Sequence, residues 1–215
     1  MSLNAAKAEL RSADRSLSNM KAAPNFEIFE EEWRDFLNCI EKVWNKTERG
    51  CQSFRDKFQP WQGQFSRERK KDALLKYVKQ ARDADNHSIQ EVAEVKPGSR
   101  TIDFVNPKGG YIESMKIVNG NIVEFKGDPI VVQDHPPTVV ALKVKNNGNW
   151  YNPPREHKGL QLKTQHPVEI AELALTYYRN FVTEAEAKFF YLRPNKLFKS
   201  DSQRVAFLLC VGFSV

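Results

Sequence analysis

The spacing of apolar residues changes twice along the chain, from helical to strand-like and back. Residues 3–21 alternate small apolar and charged side chains, which predicts a modest helix, and Ala22-Ala23-Pro24-Asn25 breaks it. From Phe26 to Lys46 the residues Phe29, Trp33, Phe36, Leu37, Ile40, Val43 and Trp44 recur at three- and four-residue intervals, the stripe of an amphipathic helix. Glu27, Glu30, Glu31 and Glu32 crowd its first turns, where the helix dipole favours acids, and Gly50 is a natural stop. Residues 51–65 read as a loop because of Pro60 and Gly63. Ser66 reads as the N-cap of a second long helix with Leu74, Tyr77, Val78, Ala81, Asp85, Ile89 and Val92 on one face, ended by Pro97-Gly98. Asp85 breaks that apolar face, so it must be paired or line a functional cleft.

Short β-branched runs follow: 101–105, 111–118, 122–125, 129–132 and 138–145. Turn-forming residues separate them, and Asn119-Gly120 predicts a tight hairpin between the second and third. About five strands imply a small antiparallel sheet or barrel. Residues 149–166 form a polar loop with Pro153-Pro154. Helix returns at Pro167, with Ile170, Leu173, Ala174, Tyr177, Tyr178, Phe181 and Val182 on its apolar side, and runs to about Tyr191. The segment 195–215 is basic and then apolar, a strand or a core-docking segment. The fold class is therefore α+β, in a length of 215 residues that suits one large domain or two small ones.

Composition narrows the setting. Hydrophobic residues at 40% are enough for a core, and no apolar run approaches the roughly 20 residues of a membrane span. Cys39, Cys51 and Cys210 are an odd count without a CxxC pair, and the N-terminus lacks an apolar leader core. A cytoplasmic, reducing setting without membrane attachment is the expectation. The net charge of +6 is unevenly spread: nine Lys or Arg against three acids between Arg49 and Gln80, then one against four between Ala81 and Glu94. Within the basic stretch Arg67, Arg69, Lys70 and Lys71 are candidate RNA-binding residues, and Phe54, Phe58, Trp61 and Phe65 lie just before them. Those aromatics either stack bases or belong to the core.

The second long helix ends in Gln80-Ala81-Arg82-Asp83-Ala84-Asp85-Asn86-His87. A guanidinium gives a permanently charged fork for a phosphate, and an imidazole moves protons near neutral pH. Together they can cleave RNA through its own 2′-OH, with Asp83 or Asn86 orienting them. On one regular helix, five residues set the two side chains about 140° apart, so they meet only through a helix distortion or a second subunit. His135, His157 and His166 lack metal-ligand spacing, although His157 lies in an irregular loop where functional groups gather. P-loop, GxGxxG and GxSxG patterns are missing, as is the Gly-Ser and paired-Asp signature of nucleotidyltransferases.

The Arg, the polar residue directly after it and the His five positions on resemble the R-x4–6-H motif of the HEPN superfamily. That resemblance implies a helical bundle over residues 1–98 and 167–191 with residues 99–150 as a β-rich insertion. It also implies a metal-independent endoribonuclease of toxin–antitoxin or phage-defence type, without cofactor. Arg82 and His87 would then be catalytic in a composite site across a homodimer, with an antitoxin or defence-system partner. The alternative it implies is a non-catalytic interaction or scaffold protein.

Overall fold

A computed structural model describes residues 2–88 and 90–191; the predicted segment 195–215 lies outside the described residues. Helices α1 (Asn4–Ala22) and α2 (Phe26–Gly50) form an antiparallel hairpin. Its turn is fixed by Asn25, whose Oδ1 accepts from the Ile28 N–H at 2.9 Å. The buried positions of α1 include Ala6 and Ala13, small enough to let α2 close in. At the far end Gly50 does the same, since a Cβ there would stand 2.7 Å from Leu3 Cδ2. Polar ties run along the hairpin from Asn19–Glu32 at 2.7 Å to Lys46–Glu9. The predicted apolar stripe of α2 is its buried face.

The predicted loop 51–65 and the Ser66 cap are corrected. After a 3₁₀ turn (Gln52–Phe54), α3 runs over Arg55–Lys71 straight through Pro60 and Gly63. A proline inside a helix costs about 3 kcal/mol in isolation, and here tertiary packing outweighs it. Trp61 stacks on Phe181 at 5.6 Å, and Phe65 meets Phe181 edge-on at 5.0 Å. Phe58 lies against Trp61 and Phe189, both at 5.5 Å. Phe58 and Phe65 of the basic stretch are thus committed to the core, with the half-buried Trp61 packed against it. The break in the predicted long helix comes at Asp72, in extended conformation, whose Oδ1 caps α4 (Ala73–Ser88) by accepting from Leu75 N at 2.9 Å.

Helix α5 (Pro167–Glu186) starts at the predicted proline, with His166 Nδ1 accepting from Val168 N at 3.2 Å, and passes into a π-helical turn (Ala187–Tyr191). Its Tyr177, Tyr178, Phe181 and Val182 fill the space between α2, α3 and α4.

The chain divides into two compact units, one formed by residues 93–140 and the other by the residues before and after them. In the β unit, β1 (Ala93–Lys96) pairs with β6 (Thr138–Ala141) and β2 (Ser99–Phe104) with β5 (Ile130–His135). β3 (Ile112–Val118) pairs with β4 (Asn121–Gly127). The result is nested two-stranded ladders, with no closed barrel among the described residues. The Asn119-Gly120 turn is as predicted, both residues at positive φ (52° and 76°). Arg100, ion-paired to Asp134, also donates to Gly120 O at 2.7 Å, so the β3–β4 tip folds back over β2–β5. The half-buried Ile102, Phe104, Met115, Ile122, Phe125 and Ile130 come from one face of each ladder and make a small core.

The helical unit holds two further hairpins where a strand end and a polar loop were expected: β7 (Val144–Asn146) with β8 (Asn149–Tyr151), and β9 (Glu156–His157) with β10 (Leu160–Gln161).

Candidate nucleic-acid interface

Arg82, Asp83, Asn86 and His87 occupy the last turns of α4. Asp83 is the hub: its carboxylate accepts from Lys79 at 2.7 Å and from Arg82 Nη1 at 3.1 Å. Burial pushes its pKa up, but the hydrogen bonds and charges of Lys79 and Arg82 outweigh it and hold the carboxyl below its ordinary value. Arg82 is half-buried, and its Nε is enclosed without a hydrogen-bond partner among the described residues. Asn86 bridges to Asn38 on α2 at 2.8 Å and to its own helix at Arg82 O, 3.0 Å. His87 is exposed in the last turn, and its ring makes no hydrogen bond among the described residues. The segment is regular α-helix through Ser88, so one chain does not bring Arg82 and His87 together. The anomalous Asp85 is paired with Arg34 on α2, which also reaches Glu30 at 2.8 Å.

The candidate RNA-binding residues separate. Arg69 is 7% exposed, ion-paired to Glu41, with its guanidinium 4.2 Å from the Trp44 ring centroid and 5.7 Å from that of Tyr178. It is a core residue and offers nothing to a polyanion, a correction to its assignment. Arg67, Lys70 and Lys71 are exposed and have no ion-pair partner among the described residues. Arg67 and Lys71 line a cleft of about 450 Å³ together with Gln64, Glu68, Asp72 and Lys158.

Two arrangements escaped the sequence reading. The β7–β8 hairpin presents Trp150, 57% exposed, with Lys143 Nζ 4.9 Å and Lys145 Nζ 5.8 Å from its ring centroid. The hairpin is pinned along α4: Asn146 bonds Gln80 at 2.8 Å, and the Gln90 side chain clamps both the N–H (2.9 Å) and the carbonyl (2.7 Å) of Lys145. The signal was present, because the Asn147-Gly148 turn sets Lys145 opposite Trp150. The second arrangement centres on Asp72, which accepts from Leu75 N, shares 3.0 Å with His157 Nδ1 and takes the Lys158 N–H at 2.8 Å. Two of these three partners lie 85 and 86 residues away, beyond any local pattern.

Cys39 and Cys51 are buried, and burial raises both thiols to about 11, so neither is a ready nucleophile. Among the described residues no group of three or more His, Cys, Asp and Glu is placed to hold a metal ion. Among them too, no helix is long and apolar enough to cross a membrane. Comparison with protein-family models, with curated proteins and with solved structures finds no match.

Proposed function

We propose that this chain binds single-stranded RNA along the C-terminal half of α4 and cleaves it there without a metal. The observation that carries the reading is Trp150, exposed beneath two lysines on a hairpin clamped by Gln90, three residues beyond the exposed imidazole of His87. An aromatic face flanked by ammonium groups is what an unpaired base and its phosphates require. His87 would take the proton of a ribose 2′-OH, and Arg82 would meet the charge developing on the phosphate. Because the two side chains diverge by about 140° on one helix, the working site needs Arg82 of one copy and His87 of another in a homodimer.

The test is incubation of the purified protein with RNA in EDTA. Cleavage should leave 2′,3′-cyclic phosphate and 5′-hydroxyl ends. His87→Ala or Arg82→Ala should lower the rate at least about 100-fold, the scale of a general acid–base group. Trp150→Ala should weaken RNA binding about 5- to 150-fold, the loss of one stacked base. Full activity of His87→Ala, or 5′-phosphate ends, would sink the catalytic reading. A second reading rests on the tie of Arg82 to Asp83: RNA binding without cleavage. Trp150-dependent binding with no cut product would establish that one instead.

A further inference from the structure

About 20 Å along the axis of α4 from His87, the α3–α4 junction meets the β9–β10 hairpin at the cleft lined by Gln64, Arg67, Glu68, Lys71, Asp72 and Lys158. We propose that this cleft binds a phosphate-bearing ligand of mononucleotide size through Arg67, Lys71 and Lys158, with Glu68 accepting from a donor beside the phosphate. The inference goes beyond RNA cleavage and uses none of its catalytic residues.

Arg67 and Lys71 stand one turn apart on the same face of α3. Neither has an ion-pair partner among the described residues, whereas Arg69 between them is spent in the core. Two unneutralised cations converging on one concave surface repel each other, and that repulsion disappears when an anion sits between them. Lys158 is built in as the third. Its backbone takes the left-handed conformation (φ 50°), uncommon away from glycine, and Asp72 fixes it by accepting its N–H at 2.8 Å. The ammonium then lies 4.9 Å from the Tyr177 ring centroid and 3.6 Å from Glu68 Oε2.

The carboxylates do not cancel this charge equally. Both oxygens of Asp72 are already engaged, Oδ1 by Leu75 N and His157 Nδ1 and Oδ2 by Lys158 N. Glu68 differs: its Oε2 is enclosed and, apart from its ion pair with Lys158, makes no hydrogen bond among the described residues. The Lys158 ammonium at 3.6 Å stands beyond hydrogen-bond length, and a ligand hydroxyl or amine would give that oxygen a closer donor. Two unpaired cations, with the Lys158–Glu68 ion pair beside them, suit a phosphate with a neighbouring donor, as in a nucleotide. The cleft volume of about 450 Å³ lies within the range of small-molecule sites, about 300–1,000 Å³.

The experiment is calorimetric titration of the full chain with adenosine 5′-monophosphate, inorganic phosphate, adenosine, and a short oligoribonucleotide carrying either a 5′-phosphate or a 5′-hydroxyl. The monophosphate should bind at least about ten times more tightly than adenosine, one good charge-assisted contact. Arg67→Gln/Lys71→Gln should abolish that preference without moving the melting temperature. Glu68→Gln should weaken the monophosphate and spare inorganic phosphate. If only the 5′-phosphorylated oligonucleotide binds, and loses its advantage in the double variant, the phosphate is that of an RNA end. The proposal is overturned if no phosphate-bearing probe binds at millimolar concentration, if adenosine binds as well as its monophosphate, or if the double variant binds like wild type. No cleavage is read in this titration, so its failure and that of the ribonuclease reading are separate results.

Discussion

At the N-terminal end of α4, His157 is held at Nδ1 by an aspartate that also caps the helix and pins the next residue's backbone, and both side chains are largely buried (13% and 11% exposed). At the C-terminal end, His87 is exposed and has no hydrogen-bond partner among the described residues, and its neighbours Arg82, Asp83 and Asn86 are bonded to one another or to α2. The first histidine is positioned and occupied; the second is exposed and, among the described residues, unpositioned. A catalytic imidazole must be oriented and also able to reach its substrate. His157 has only the first property within one chain, and His87 only the second. A site at His87 therefore has to import its geometry from a bound strand or a second copy. At the α3–α4 junction the geometry is already built, and the exposed cations Arg67 and Lys71 supply the access.

The contrast is sharpest between adjacent charges of α3. Arg69→Ala would leave Glu41, 14% exposed, without its cation and remove a guanidinium packed on Trp44 and Tyr178. Breaking a buried pair from one side costs roughly 3–5 kcal/mol. For a domain of this size that is a melting temperature lower by at least about 6 °C. Arg67→Ala, two residues away, should stay within about 0.5 kcal/mol of wild type. Thermal melts of the two variants decide it, and equal shifts would show that exposure does not separate these residues.

Asp72 comes next in size. Asp72→Ala removes an N-cap, a hydrogen bond to His157 and the anchor of Lys158, about 2–3 kcal/mol together. Asp72→Asn keeps a capping oxygen and loses the charge, so it isolates the pH-dependent part. Burial acts to raise the Asp72 pKa, but hydrogen bonds from His157, Leu75 N and Lys158 N bring it below its ordinary value. A carboxyl depressed on folding stabilises above its unfolded pKa, about 3.9, and loses that contribution as pH falls through the folded value. The stability gap between wild type and Asp72→Asn should therefore be full at neutral pH and close below about pH 4. Urea titrations across that range that show a constant gap would mean the charge contributes nothing.

What the chain discloses locally, the fold keeps. The α2 stripe and the Asn119-Gly120 turn depend on neighbours within a few residues, and both stand where periodicity and turn chemistry put them. The α3 helix was hidden because Pro60 and Gly63 are strong local breakers, and the aromatics that override them, Phe181 and Phe189, lie more than a hundred residues on. A clue was missed there: Phe58, Gln62, Phe65 and Arg69 fall at three- and four-residue intervals, which already places Arg69 on the buried side. Arg82, Asp83, Asn86 and His87 were legible as a group on one helix, and a pairing of Arg82 with Asp83 with them, but the bond of Asn86 to Asn38 on α2 was not. The Asp72–His157 pair joins the α3–α4 junction to strand β9 through tertiary contact alone and leaves no trace in residue spacing.

The smallest effect on stability tests whether Arg82 is poised or merely paired. Asp83→Asn removes one ion pair to Lys79 at i−4 and one to Arg82, on side chains that are partly exposed. Such pairs are worth about 0.3–0.5 kcal/mol each, so the melting temperature should fall by only a few degrees. Arg82 has its Nε enclosed and unpartnered, which leaves Asp83 as the group that directs its Nη1. Without that carboxylate the guanidinium loses its fixed orientation. If Arg82 meets a phosphate in the transition state, the cleavage rate should fall by more than the stability change accounts for. Two residues acting as one unit are non-additive, so adding Asp83→Asn to Arg82→Ala should cost nothing further in rate. Additive losses would show that Asp83 does not act through Arg82. An unchanged rate in Asp83→Asn alone would leave the carboxylate a helix-surface tie and remove its role in orienting the arginine.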